Sequence, residues 1–399
     1  MLKGKTVVLG VTGSIAAYKI ANLASMLVKA HCDVHVIMTK NATNFINPIT
    51  FETLTNNKCL IDTFDRNFEF QVEHVSLAQK ADLMMIAPAS ANVIGKVAHG
   101  IADDMLTTTI MACSGKVIFS PAMNVHMYEN PILQDNLQIL KKYGYEIVEP
   151  AVGYLACGDT GAGKMPEPET LYQYILRELA CEKDMKGLHV MVTAGPTQES
   201  IDPVRYITNH SSGKMGYAIA KRAMLRGAAV TLISGPVALP PVPFVKMISV
   251  TTAKEMFEAV RDHLAEQDIL VKAAAVADYR PSEVSEEKMK KSDTDLQIDL
   301  ERTQDILGYV AEHRRDNQFI CGFSMETQNM LENSRKKLKK KKLDMIVANN
   351  LKDTGAGFAT DTNVITMITE QEEKALPLMS KEEVAQELLS YILDHRNIL

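Results

Sequence analysis

The 399-residue sequence has no tryptophan and no CxxC pair. Its six cysteines, Cys32, Cys59, Cys113, Cys157, Cys181 and Cys321, show no disulfide-like spacing. This pattern argues against a zinc ribbon or a disulfide framework and predicts free thiols in a reducing compartment, so a cytoplasmic location is expected. No apolar run is long enough to cross a bilayer, so no membrane partner is expected. The apolar stretch behind Lys3 and Lys5, Val7-Val8-Leu9, stops at Gly10 and is too short for a secretory signal. A basic surplus is also missing. The net charge of -6 and pI near 6.0 argue against a nucleic-acid surface in general. Low-complexity tracts are absent, and 46% apolar with 23% charged residues reads as globular throughout. The length exceeds one comfortable core, and two domains are expected.

What is present is a grammar used twice. Thr6 to Val11 is a buried-strand pattern that runs through Thr12-Gly13-Ser14 into a helix with apolar positions at Ile20, Leu23, Leu27 and Val28. After Lys183-Asp184-Met185-Lys186-Gly187 the scheme returns. A strand over Leu188 to Thr193 is followed by a loop of about twenty residues, then by a helix opening at Ser211-Ser212-Gly213-Lys214-Met215-Gly216. The domain boundary is therefore placed near residues 181–187, giving domains 1–183 and 184–399. Further strands are predicted over Val34 to Thr39, Leu83 to Ala87 and Lys116 to Ser120 in the first half. In the second half they fall over Ala229 to Ser234, Ile269 to Ala274, Phe319 to Phe323 and Met345 to Ala348. Strands alternating with helices imply an α/β class with two Rossmann-like parallel-sheet domains, each binding ligand at the carboxyl ends of its strands.

In the first half, Gly10-Val11-Thr12-Gly13-Ser14-Ile15-Ala16 sits where backbone N–H groups and a helix dipole favour phosphate. A dinucleotide site would want a third glycine and an acid closing the second strand. Here Ala16 and Thr39-Lys40 stand instead, and a mononucleotide fits better than NAD. Ala87-Pro88-Ala89-Ser90-Ala91-Asn92 offers small residues that let a flat ring approach the backbone, and Pro121-Ala122-Met123-Asn124 puts a polar side chain at another strand end. His74 opens a helix, where a lone histidine is more often structural than catalytic. Tyr154 to Met165 sets Cys157 among glycines 153, 158, 161 and 163, as in a loop that closes over a substrate.

Together, the Gly-Val-Thr-Gly-Ser-Ile-Ala-Ala-Tyr-Lys stretch at 10–19, His74, Ala87 to Asn92, Pro121 to Asn124 and Ala156 to Met165 closely resemble the flavin-dependent cysteine decarboxylases acting on 4'-phosphopantothenoylcysteine. The resemblance implies FMN as cofactor, with Gly13, Ser14, Thr39, Ser90 and Ala122 lining it and Met127 near the substrate. It implies a thioaldehyde intermediate whose C=S absorbs the electrons released with CO2. Cys157 would supply a proton as a thiol, His74 would act as base or carboxylate contact, and Asn124 would hold the substrate carboxylate. Two positions depart from the family pattern. Lys164 stands where arginine is usual, keeping the charge but losing the bidentate fork, and Val93 stands where threonine is usual. A flavin-binding regulatory subunit is the rival reading from another class, and the intact set of His74, Asn124 and Cys157 weighs against it.

In the second half, Thr193 to Glu199 and Arg205 to Gly216 again give a glycine-containing turn at a helix start. Ala273-Ala274-Ala275-Val276-Ala277-Asp278 ends a strand, Lys288-Met289-Lys290-Lys291 follows a polar loop, and Lys337 and Lys341 lie four apart in a cationic helix, able to clamp a triphosphate. Asn-His-Ser-Ser-Gly-Lys-Met-Gly at 209–216, residues 274–280, Lys288 to Lys291 and Gly322-Phe323 resemble the phosphopantothenate–cysteine ligases. In bacterial fusions of this kind, CTP activates 4'-phosphopantothenate as an acyl-cytidylate and the amine of L-cysteine displaces CMP. The resemblance implies that Asn209 and Lys288 serve the acyl-nucleotide step. It further implies that Ala273, Ala274, Ala275, Asp278, Gln304, Asp305, Ile306, Leu307, Phe323, Lys337 and Lys341 contact CTP, with Mg2+ carried on the phosphates. Gln304 to Leu307 differ from the family's proline-containing version. A homo-oligomer, a dodecamer of trimers and dimers, is expected by the same analogy.

Overall fold

The computed structural model describes residues 2–64, 73–154, 158, 160–291, 296–326, 329–350 and 360–396. The chain forms two compact units, Met1–Cys181 and Glu182–Leu399.

The first unit contains strands β1 (Thr6–Val11), β2 (Asp33–Met38), β3 (Leu83–Ala89), β4 (Lys116–Pro121) and β5 (Glu146–Ile147), followed by β6 (Ala151–Tyr154) and β7 (Thr160–Lys164). The first five make one parallel sheet in the order β2-β1-β3-β4-β5. Every residue of β1 and β3 is buried, because helices cover both faces, and this is why these strands read as unbroken apolar runs rather than alternating ones. One face is covered by helix Ala17–Lys29 with Pro48–Thr55 and Pro168–Leu179. Helix Ala91–Ala98 packs against Pro131–Lys142, and Glu73–Lys80 against Met105–Ala112. The strand order reverses between β1 and β3, which opens a crevice at their carboxyl ends. The predicted loop around Cys157 has a different base: β6 and β7 pair as an antiparallel hairpin, while Cys157 lies outside the described residues.

The second unit contains β8 (His189–Ala194), β9 (Gln198–Ser200), β10 (Tyr206–Thr208), β11 (Ala229–Ser234), β12 (Lys246–Ser249), β13 (Ile269–Lys272), β14 (Tyr279–Pro281), β15 (Leu300–Arg302), β16 (Phe319–Glu326) and β17 (Met345–Asn350). Its parallel strands run β12-β11-β8-β13-β16-β17, and two antiparallel strands, Ile365–Ile368 and Glu373–Ala375, extend the β17 edge. The reversal falls between β8 and β13. The twenty-residue loop expected after β8 is in fact built on the β9–β10 hairpin. β13 stops at Lys272, short of the Ala274 expected, because its backbone turns there into the loop that borders the second cleft. Where the loop after β8 crosses the end of β11 the fit admits no side chain. A Cβ on Gly235 would stand 1.8 Å from the Pro196 carbonyl oxygen.

Candidate active sites

The first cleft, about 660 Å3, lies at the β1/β3 reversal. Its size falls within the range that holds a cofactor-sized ligand. Its floor is set by hydrogen bonds to the backbone of the strand-end loops. The buried Thr12 hydroxyl donates to the Pro88 carbonyl at 2.6 Å and accepts from the Ser90 N–H at 2.9 Å, tying the loop after β1 to the loop after β3. Ser90 in turn caps helix Ala91–Ala98, its hydroxyl accepting from the Val93 N–H. The Ala122 N–H donates to the Ala89 carbonyl at 3.1 Å, which brings the β4 loop to the same edge. Asn124 caps the short helix Val125–Tyr128, its Oδ1 accepting from the His126 N–H at 2.8 Å, so that Nδ2 is the end that can donate to a carboxylate. The hairpin closes the third side. The Met123 N–H donates to the Gly163 carbonyl at 3.1 Å, and Gly163 has φ +134° with the Met123 carbonyl 2.4 Å from where a Cβ would stand. Only glycine fits that approach.

Gly13, Ser14, Ser90, Ala122, Asn124, Met127 and Lys164 all line this cleft, whereas Thr39 and His74 do not. Thr39 is occupied at the end of β2, its hydroxyl accepting from the Ala42 N–H, and His74 sits in the first turn of helix Glu73–Lys80. Glu167, which sequence reasoning passed over, completes the rim with Ile15, Tyr18, Lys19 and Tyr154, which stand in the sequence motifs without an assigned role. The Lys19 ammonium meets Glu167 at 2.7 Å and the Lys164 ammonium meets it at 3.9 Å. The Lys19 hydrogen bond, with Lys164 adding to it, holds the Glu167 carboxyl below its ordinary range. Lys164 thus shares its counter-ion with Lys19. Lys19 closes the 10–19 stretch, and the signal that could have singled it out is that it is a cation in the first turn of helix Ala17–Lys29, next to exposed Tyr18.

The second cleft, about 330 Å3, lies at the β8/β13 reversal. One wall is the start of helix Lys214–Leu225, with Ser211 to Gly216 facing the space as an anion-favouring helix N-terminus. The other wall is the loop after β13. Its backbone is pinned by two threonine hydroxyls, Thr193 accepting from the Ala274 N–H at 3.2 Å and Thr197 from the Ala277 N–H at 3.0 Å. Asn209 reaches across, its Nδ2 donating to the Ala275 carbonyl at 3.0 Å. Lys337 donates to the Phe323 carbonyl at 3.0 Å.

Asn209, Ala273, Ala274, Ala275, Asp278, Phe323 and Lys337 line this cleft together. Lys288, Gln304, Asp305, Ile306, Leu307 and Lys341 lie outside its lining. Ile306 and Leu307 are core residues, 3% and 4% exposed, so only their main chain can face a ligand. Asp305 caps helix Ile306–His313 and pairs with Lys341. Burial pushes the Asp305 carboxyl up, but Lys341 and the Gly308 N–H outweigh it and its pKa is lowered. Sequence reasoning missed Lys272, which lines the cleft at the end of β13. Burial, reinforced by the nearby Lys337 charge, pushes its pKa down from 10.5 to about 8, against the pull of Asp278 and Asp305. Lys272 went unnoticed because it ends an otherwise apolar strand. Among the described residues no cluster of three or more His, Cys, Asp or Glu side chains is arranged to hold a metal, and no helix is long and apolar enough to cross a membrane.

Two doubly wound units, each with a cleft at its strand reversal, make this an α/β protein of two Rossmann-like units with two candidate ligand sites. The flavoprotein family matches residues 1–180, and the family described as the DNA/pantothenate metabolism flavoprotein C-terminal domain matches residues 185–395. Across its length the chain is 47% identical to the coenzyme A biosynthesis bifunctional protein CoaBC of Bacillus subtilis (strain 168), over 98% of this chain and 97% of the relative. It is 44% identical to the protein of that name from Vibrio vulnificus (strain YJ016), over 98% of both chains. With that of Escherichia coli (strain K12) it shares 42%, over 98% of this chain and 97% of the relative. The chain belongs to this family of bifunctional coenzyme A biosynthesis proteins.

Proposed function

We propose that the second unit joins L-cysteine to 4'-phosphopantothenate with CTP, and that the first unit decarboxylates the resulting 4'-phosphopantothenoylcysteine to 4'-phosphopantetheine, in the cytoplasm. The observation that carries this reading is the pair of clefts in one chain. Each stands at a strand reversal and gathers most of the residues that the two resemblances assign to it.

In the first cleft, Gly13, Ser14, Ser90 and Ala122 would hold FMN. The fit rests on the small side chains of Gly13, Ser14, Ser90 and Ala122 in the cleft lining and on the loop N–H groups after β1. Bound FMN would supply a reversible two-electron acceptor, so that CO2 can leave from a carbon next to a transient C=S and the electrons then go back to the product. Nδ2 of Asn124 would fix the departing carboxylate, and Cys157, as a thiol, would supply the proton that accompanies the returning electrons. The rim cations Lys19 and Lys164 lend positive potential for the substrate phosphate, moderated by Glu167. A cleft rimmed by Ile15 and Tyr18, each 58% exposed, with His74 and Thr39 outside its lining, suits a homo-oligomer in which another copy closes the site.

In the second cleft, the helix start at Gly213 and the lysines Lys272 and Lys337 would receive the triphosphate, with Mg2+ riding on the phosphates rather than on a protein cage. Asn209 and Lys288 would act on the acyl-cytidylate, whose CMP is a far better leaving group than the carboxylate oxygen. Purified protein given 4'-phosphopantothenate, L-cysteine, CTP and Mg2+ should release CMP, pyrophosphate and CO2. Release of none of the three would end the proposal.

A further inference from the structure

Resting on the ligase reading of Lys288, we infer that Asp202 is a positioning residue. Together with Arg205 it clamps the backbone of Met289 and so holds the loop that carries Lys288. Asp202 is buried in the turn between β9 and β10, although it bears a charge, and its hydrogen bonds come from that turn and from the loop at Met289. One carboxylate oxygen, Oδ1, accepts from the N–H groups of Val204 and Arg205, both at 2.8 Å. The other, Oδ2, accepts from the Arg205 guanidinium, with Nε at 3.0 Å, and from the Met289 N–H at 3.1 Å. The same guanidinium donates to the Met289 carbonyl at 2.8 Å.

Both polar groups of the Met289 peptide backbone are therefore held by a single ion pair more than eighty residues earlier in the chain. A second tie lies four residues upstream, where the Ser285 N–H donates to the Ile201 carbonyl at 3.0 Å. A buried carboxylate is costly unless charged partners and N–H groups satisfy it, and here all of them come from the turn and from the loop it grips. Arg205 keeps the Asp202 carboxyl well below the ordinary aspartate range, so the clamp stays charged across the working pH. Lys288 itself is exposed and its neighbour Met289 is half-buried, so the ammonium swings from a fixed base. Fixing that base matters because small displacements of a reacting group are expensive in rate.

The test uses the full chain. Trypsin cleaves after lysine, and the loop offers Lys288, Lys290 and Lys291. In Asp202→Asn the early cleavage rate at these three bonds, read by mass spectrometry, should rise about tenfold while other sites keep their wild-type rates. Ligase kcat should fall about 10- to 100-fold with KM for the nucleotide unchanged, and decarboxylation of supplied 4'-phosphopantothenoylcysteine should be untouched. Should Asp202→Asn fail to fold, Arg205→Met removes the guanidinium grip while leaving the Asp202 turn bonds, and the same local cleavage should appear. Wild-type cleavage at the three bonds in the folded variant overturns the clamp, as does a kcat equal to that of the wild type. Lys288→Gln separates the two readings: full ligase turnover in that variant would refute the role of Lys288, while the cleavage result would still decide the clamp.

Discussion

Lys272 shows what a single half-buried charge does to a cleft. Its folded pKa of about 8 lies below the ordinary 10.5, so between those values the unfolded chain binds more protons than the folded one, and stability rises with pH across that window. Below about pH 8 the ammonium is carried at a cost that an anionic ligand would remove. Lys272→Met should therefore stabilise the ligand-free protein at pH 7 by about 2 kcal/mol, an amount discounted for partial solvent access, with the gain fading towards pH 10.5. The same variant should bind CTP or inorganic pyrophosphate more weakly. Urea unfolding at pH 7 and at pH 10 checks the first part, and an equal gain at both values would contradict it. Most residues of both clefts were legible in the sequence because their motifs sit directly after strand patterns, which places them at one sheet edge. Lys272 and Glu167 were not, and Lys19, though inside the 10–19 stretch, had no assigned role, since each becomes a site residue only through neighbours distant in the chain. Thr39 and His74 show the converse, since a matching motif does not by itself bring a side chain into a single-chain cleft.

Among elements, the strands that could be read were those buried on both faces. β1 and β11 lie where their apolar runs put them, Thr6–Val11 and Ala229–Ser234, because parallel strands between two helical layers need hydrophobic side chains at every position. The hairpins were not legible. β6 and β7 carry glycines that are unfavourable in strands, and β9 and β10 are three residues each, too short to display a period of two. Tertiary contacts make these elements, such as the docking of Gly163 on Met123. The link between the loops after β1 and β3 offers a direct probe. Thr12→Val keeps the shape but leaves the Pro88 carbonyl without its donor and the Ser90 N–H without its acceptor, in a buried place. The first unit should lose about 2 kcal/mol and release its flavin more readily. Thermal unfolding followed by visible absorbance measures both, and an unchanged midpoint would show that the link is dispensable.

At the scale of the whole chain, two sites acting in sequence should be separable. With 4'-phosphopantothenate and cysteine but no CTP, no CO2 should appear; with 4'-phosphopantothenoylcysteine supplied, CO2 should form without any nucleotide. A protein carrying Lys337→Met and another carrying Asn124→Ala should each fail in the complete mixture, yet recover CO2 release when combined, because the intermediate can pass through solution. Failure of the mixture to recover would mean that the intermediate never leaves the chain that makes it. The crossing of Pro196 over Gly235 gives this division a genetic counterpart. A single added methyl there would pry apart the loop after β8 and the end of β11 in the second unit. Alleles at codon 235 should thus yield heat-sensitive proteins whose amide-forming activity is lost on warming while extracts still release CO2 from supplied 4'-phosphopantothenoylcysteine.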